Sequence, residues 1–171
     1  MSPRFVAPIR TPLGTFVGAV DGEGALLAID FDEHGPISGW KDAVRDIERL
    51  RPLERALERY FAGDLRTFEL ALAPAGTPFQ QRVWRELVRI PYGETISYME
   101  LARRVGNPRA VRAVGRANGA NPIPVVVPCH RVIGADGTLT GYAGGLERKR
   151  WLLALETRTS GRPVQLAMTG A

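Results

Sequence analysis

Ser97-Tyr98-Met99-Glu100-Leu101-Ala102-Arg103-Arg104-Val105-Gly106-Asn107-Pro108-Arg109-Ala110-Val111-Arg112-Ala113-Val114-Gly115-Arg116-Ala117-Asn118-Gly119 holds two short helical patterns back to back. Ser97 and Glu100 have the spacing of a capping box. Tyr98, Leu101, Ala102 and Val105 then recur at i, i+3, i+4 and i+7 before Gly106 stops the pattern. Asn107-Pro108 opens a second helix, expected from about Pro108 to Asn118. The turn between them, about three or four residues, has the length of a helix-turn-helix. At about 100° per residue, Arg109, Arg112 and Arg116 fall within roughly 60° of one another, with Val111 and Val114 on the opposite side. Ala110, Ala113, Gly115, Ala117 and Gly119 keep the same helix thin, which lets a backbone approach a partner surface closely. A row of merely solvated arginines is the competing reading.

Downstream, the apolar run Ile123-Pro124-Val125-Val126-Val127 reads as a short buried strand that leads into Pro128-Cys129-His130-Arg131-Val132. Cys129 is the only cysteine in 171 residues, and a histidine follows it directly. A free thiol has a pKa near ~8.5 and reacts as the thiolate, so a nucleophile needs a base or a positive charge beside it. His130 and Arg131 offer both, although a lone cysteine also serves as a small buried hydrophobe. Asp136-Gly137 marks a turn, and Gly141-Tyr142-Ala143-Gly144-Gly145 is a loop able to approach a flat ligand. A last helix is expected from about Leu146 to Glu156, with Lys149, Leu152, Leu153 and Glu156 on one stripe. That places a carboxylate on an apolar face, where it needs a partner unless it turns out to solvent at the helix end.

Upstream, Phe5 to Arg10, Thr15 to Asp21 and Ala25 to Phe31 read as an antiparallel meander. A helix follows from about Lys41 to Ala62, with Thr67 to Leu72 as a possible further strand. His34 lies in a loop and reads as a surface histidine. Residues 73–77 read as a linker, after which Thr77 caps a helix that begins at Pro78 and buries Phe79, Val83, Trp84, Leu87 and Val88. The fold class is therefore α+β: a small N-terminal α+β domain with an antiparallel sheet (1–74), then a mostly helical domain with the helix-turn-helix and the cysteine (75–157). The polar tail 158–171 is expected to fray.

Composition narrows the function. Residues 1–74 carry 9 basic against 12 acidic side chains, whereas residues 75–171 carry 14 against 6. Positive charge gathered beside a helix-turn-helix favours DNA. Of the 23 basic residues 21 are arginine, which compositional bias explains in type but not in location. No apolar run is long enough for a membrane span, and the first residues lack a signal-peptide pattern, so a cytoplasmic protein is expected. One cysteine and two histidines are too few for a structural zinc site, and neither a metal nor another cofactor is expected.

These motifs resemble the O6-alkylguanine-DNA alkyltransferases, the methylated-DNA–protein-cysteine methyltransferases. The resemblance rests on Phe79-Gln80-Gln81-Arg82-Val83-Trp84, Ile90-Pro91-Tyr92-Gly93-Glu94-Thr95, Ala110-Val111-Arg112-Ala113-Val114-Gly115, Ala117-Asn118-Gly119, Asn121-Pro122-Ile123, Val127 to Ile133 around the cysteine, and Gly141 to Gly145. It is close over residues 77–156 and loose before residue 74. It implies a single-turnover transfer of an alkyl group from O6 of guanine, and from O4 of thymine, to Cys129. Glu156 would hold His130, and His130 would draw the thiol proton through a water. Tyr98 would donate a hydrogen bond to the departing guanine. Arg112 would fill the stack vacated by a base rotated out through the minor groove, with Arg109, Arg116, Ala113 and Gly115 along the DNA. Asn121 would brace the turn before the cysteine, and Val132, Tyr142, Ala143 and Gly144 would line the guanine pocket. Ala143 departs from the serine or glycine of some relatives and leaves the accepted alkyl size open. The implied partner is duplex DNA, bound by a monomer, with cooperative binding left open. A lesion-binding protein without chemistry is the alternative class. In such relatives tryptophan replaces the nucleophile, and position 129 is cysteine. A cysteine hydrolase would need an oxyanion-hole motif or a second histidine near the thiol, and neither is found.

Overall fold

The computed structural model describes residues 2–161, which fall into two compact units, one of residues 2–75 with 122–124, the other of residues 76–121 and 125–161. In the first unit β1 (Arg4–Thr11), β2 (Gly14–Asp21) and β3 (Leu26–Asp30) form the expected antiparallel meander. A fourth strand, β4 (Ala43–Arg45), pairs parallel with β1 at the edge and gives the order β3-β2-β1-β4. Residues 43–45 are thus strand, and helix α1 (Ile47–Phe61) begins later than periodicity suggests, where the Asp46 side chain accepts from the Glu48 and Arg49 amides. Leu50, Leu53, Leu57 and Tyr60 of α1 are buried. Gly18 lets α1 close on β2, since a methyl there would come within 2.6 Å of a Leu53 methyl. The strand expected over Thr67 to Leu72 is reduced to one bridge between Leu72 and Leu26, because Thr67 and Glu69 face solvent.

The second unit opens with α2 (Pro78–Val88), which starts as expected: Thr77 and Gln80 close a full capping box and Pro78 takes the first helical position. Val83, Trp84 and Leu87 are buried, but Val88 is 51% exposed, one residue beyond the edge of the stripe. β5 (Ile96–Ser97) pairs parallel with β6 (Val132–Ile133), and α3 (Tyr98–Arg104) follows directly, capped by the Ser97 hydroxyl. α4 (Val111–Gly119) packs on α2 and α3. It begins three residues later than Asn107-Pro108 suggests, and no side chain caps it. The final helix, α5 (Leu146–Ser160), ends at Gly161 in the left-handed conformation (φ 73°). It therefore runs past Glu156, and residues 158–160, read from sequence as frayed tail, are helical. The Tyr92 hydroxyl meets that of Thr159, and Thr159 bonds back to the Leu155 carbonyl, which gives the last turn a tertiary anchor. Residues 162–171 of that tail lie outside the described residues. No described helix is long and apolar enough to cross a membrane.

Candidate active site

The apolar run before Cys129 is buried but is not a strand. Residues 123–127 form a turn, with Val125 at φ 72°. Three prolines within seven residues remove the amides a ladder needs, and a β-branched residue at positive φ is held only where its surroundings fix it. Asn121 supplies part of that support by donating from Nδ2 to the Val127 carbonyl at 2.8 Å. The Cys129 amide reaches the same carbonyl at 2.8 Å, and the Asn118 side-chain amide reaches the Cys129 carbonyl at 3.4 Å. The chain thus arrives at one tight 3-10 turn, Cys129–Arg131, with each of its three side chains buried.

Cys129 is 5% exposed. Burial pushes its thiol up to about 11, while the Asn121 side chain and the positive charge of Lys149 pull the other way. The resting sulfur is therefore protonated, and a base must remove the proton. His130 lies next in the chain, fully buried, with Nε2 at 2.6 Å from Glu156 Oε2. A carboxylate acceptor fixes the tautomer with hydrogen on Nε2, so Nδ1 carries the lone pair. Nδ1 has no hydrogen-bond partner among the described residues. Glu156, 1% exposed, also accepts from Arg131 Nε (2.7 Å) and Nη2 (3.1 Å) and from the Gly93 amide (3.3 Å). His130 and Arg131 outweigh the effect of burial and hold its carboxyl far below the usual range.

A second set of groups lies within electrostatic reach of the thiol. Tyr98, the first residue of α3, donates its hydroxyl to the Thr140 carbonyl at 3.0 Å. Lys149 is wholly buried on α5 and donates to the carbonyls of Val132 (2.7 Å), Thr140 (2.8 Å) and Gly141 (3.4 Å). That clamp fixes the start of the loop carrying Tyr142, Ala143 and Gly144, and burial brings the Lys149 ammonium down to about 8. Arg148 fixes the other end through the Gly144 carbonyl at 3.1 Å. Burial raises the Tyr142 hydroxyl well above its usual range, and Ala143 is exposed.

The helix-turn-helix differs in detail from the sequence reading. Because α4 starts at Val111, Arg109 belongs to the turn and not to the helical row. Arg112 and Arg116 remain on α4, and all three are exposed. Val114 is buried as expected, whereas Val111 is only half-buried. The small residues serve packing inside the unit. Trp84 Nε1 donates to the Ala117 carbonyl at 2.8 Å, Gly115 lies beside the Tyr98 ring, and Ala113 is half-buried. Sequence reasoning gave Arg131 only as a generic positive charge and passed over Lys149. Yet Lys149 lay on the same apolar stripe that singled out Glu156, and the same argument from burial applied to it.

Fold and site together define a helix-turn-helix protein with a buried cysteine–histidine–glutamate centre. Residues 78–158 match the family model for the DNA-binding domain of 6-O-methylguanine DNA methyltransferase. The methylated-DNA–protein-cysteine methyltransferase of Methanosarcina acetivorans is 49% identical, covering 89% of this chain and 97% of its own. That of Mycolicibacterium paratuberculosis is 64% identical, covering 89% and 92%. Among solved structures, Mycobacterium tuberculosis OGT in complex with DNA superposes with a TM-score of 0.85 at 44% identity, covering 94% of this chain and 96% of that one. The chain belongs to the methylated-DNA–protein-cysteine methyltransferase family.

Proposed function

We propose that this protein repairs DNA by moving a methyl or other alkyl group from O6 of guanine, and from O4 of thymine, to Cys129. The observation that carries this reading is the chain's one thiol in a buried turn, followed directly by a histidine held 2.6 Å from a buried glutamate. In the reaction the thiol proton passes through a water to His130 Nδ1. The sulfur lone pair attacks the alkyl carbon, a C–S bond forms as the C–O6 bond breaks, and the electron pair stays on guanine. Tyr98 would turn its hydroxyl from the Thr140 carbonyl to that charge, and the proton taken up by His130, passed on through water, neutralises the guanine as it leaves. A high thiol pKa and a weakly basic imidazole make prior ionisation unfavourable, so proton removal and attack are coupled. A C–S thioether bond is not broken by thiol, imidazole or carboxylate chemistry at neutral pH, so each molecule acts once.

An alkylated base within a duplex lies out of reach of a buried sulfur and must be rotated into the protein. Arg112, exposed in the first turn of α4, fills the gap it leaves in the stack. Arg109, Arg116, Ala113 and Gly115 border the duplex in a minor-groove approach. Val132, Tyr142, Ala143 and Gly144 form the base pocket, and Asn121 braces the turn beneath it. Residues 75–157 then act as the DNA-binding and transfer domain of a monomer. A reactive free thiol whose substrate is genomic DNA places the work in the reducing cytoplasm.

Mass spectrometry of the Cys129 peptide after incubation with duplex DNA containing O6-methylguanine tests the reading. The expected gain is the mass of one methylene, saturating at one per protein. A turnover above one, or a gain on any other residue, overturns it. Binding of the lesion with Cys129 left unmodified would assign the protein to recognition without chemistry.

A further inference from the structure

Arg131 has no part in the proton transfer as written, yet it is 5% exposed and tied on several sides. Its Nε and Nη2 close on the two oxygens of Glu156, its Nη1 donates to the Ile90 carbonyl at 2.8 Å, and its guanidinium lies 5.6 Å from the centre of the Tyr92 ring. A carboxylate that only orients an imidazole has no need of a second cation locked in place.

Charge balance supplies the reason. Glu156 and Arg131 together are neutral. If His130 took a proton at rest, the cluster would carry a net positive charge out of contact with water, and Lys149 on α5 would add to it. Uncompensated buried charge is costly, so the imidazole stays neutral. Without Arg131 the balance reverses: Glu156 and an imidazolium would form the neutral pair, and His130 would hold its proton. The groups around His130 are Cys129 and Arg131 in its own turn and Glu156 and Lys149 from α5, with Tyr142 near both Cys129 and Glu156. α2, which also packs on the turn, buries the apolar Val83, Trp84 and Leu87.

We propose that Arg131 is a positioning residue that occupies Glu156 so that His130 rests uncharged, with its Nδ1 lone pair open to the proton of Cys129. An imidazolium at rest would have no lone pair to offer. The consequence for repair rests on the alkyl-transfer reading, whereas the charge balance does not. In keeping with it, burial and the charges of Arg131 and Lys149 depress the basicity of His130, against the pull of Glu156.

Imidazole NMR titration of the full chain is the direct test, because the sequence has two histidines and the other, His34, is an exposed reference. In the unaltered protein the His130 midpoint is expected below the ordinary imidazole value of about 6.5. In Arg131→Gln it should rise by about one pH unit or more. The acid limb of the pH profile of transfer to Cys129 should move up with it. Arg131→Lys keeps the charge without the fork and covers the case in which the glutamine variant does not fold: its His130 midpoint should remain near the unaltered one. An unmoved midpoint in Arg131→Gln, or a rise of the same size in Arg131→Lys, would show that Arg131 is only a structural tie and would overturn the proposal. Failure of the alkyl-transfer reading would instead appear as an unmodified Cys129 with the titrations as expected, so the two failures are separable.

Discussion

Glu156 shows how one carboxylate can serve two ends. It fixes the imidazole through Oε2, and through both oxygens it also holds Arg131. The sequence alone suggests that Glu156→Gln depresses transfer and leaves folding intact. The geometry replaces the second half of that expectation, because glutamine would leave a buried guanidinium without its anion. Removing one partner of such a pair costs roughly 3–5 kcal/mol. A clear fall in melting temperature should therefore accompany the loss of transfer, and an unchanged melting curve would mean that Arg131 had found solvent. Arg112 is the contrasting case: it is exposed, so Arg112→Ala should leave stability within about 0.5 kcal/mol. It should slow repair of duplex DNA about tenfold or more, given an unstacking cost of a few kcal/mol, while reaction with free O6-benzylguanine is spared. Equal slowing with both substrates would remove the stacking role.

At the level of elements, α2 and α4 are held by the Trp84 indole, whose Nε1 donates to the Ala117 carbonyl. Gly76 lies against that ring, where a methyl would come within 2.4 Å. Gly76→Ala should thus destabilise the second unit by about 1–3 kcal/mol, and because the ring is pinned, the strain should reach α4 and weaken DNA binding. Chemical denaturation with a DNA-binding titration would check both. Elements with strong local signals were legible in the sequence. Thr77 and Pro78 announce the start of α2, and short apolar-rich runs around two tight turns announce β1 to β3. β4 was not legible, since three residues with Val44 exposed carry no period. The run 123–127 misled for a physical reason: its valines are buried as a strand's would be, but prolines and a left-handed Val125 make it a turn.

For the molecule as a whole, the charge cluster sets the response to acid. Folding depresses the affinity of both His130 and Glu156 for protons. The unfolded chain therefore takes up protons first, at His130 below about pH 6.5 and at Glu156 below about pH 4.5. As the pH drops below the first of these values, stability should fall in two stages. Thermal melts across this range check it, and the lower stage should shrink in Glu156→Gln, with Glu100 and Asp136 left to contribute the remainder. Flat stability from neutral to acid pH would contradict the buried network. The roles of Arg131 and Lys149 were the least legible features of all, because what makes each unusual is contact with groups remote in the chain: Glu156 lies 25 residues from Arg131, and the Val132 carbonyl 17 from Lys149. No window of sequence joins them.

Lys149 and Glu156 stand on one side of α5, about two turns apart. A single rod thus carries a cation to the carbonyls of Val132 and Thr140 and an anion to the imidazole, so one shift of the helix would displace both. Damage along its greasy side, at Leu152 or Leu153, would detune both ends in one motion and silence the thiol without touching any group that meets the lesion.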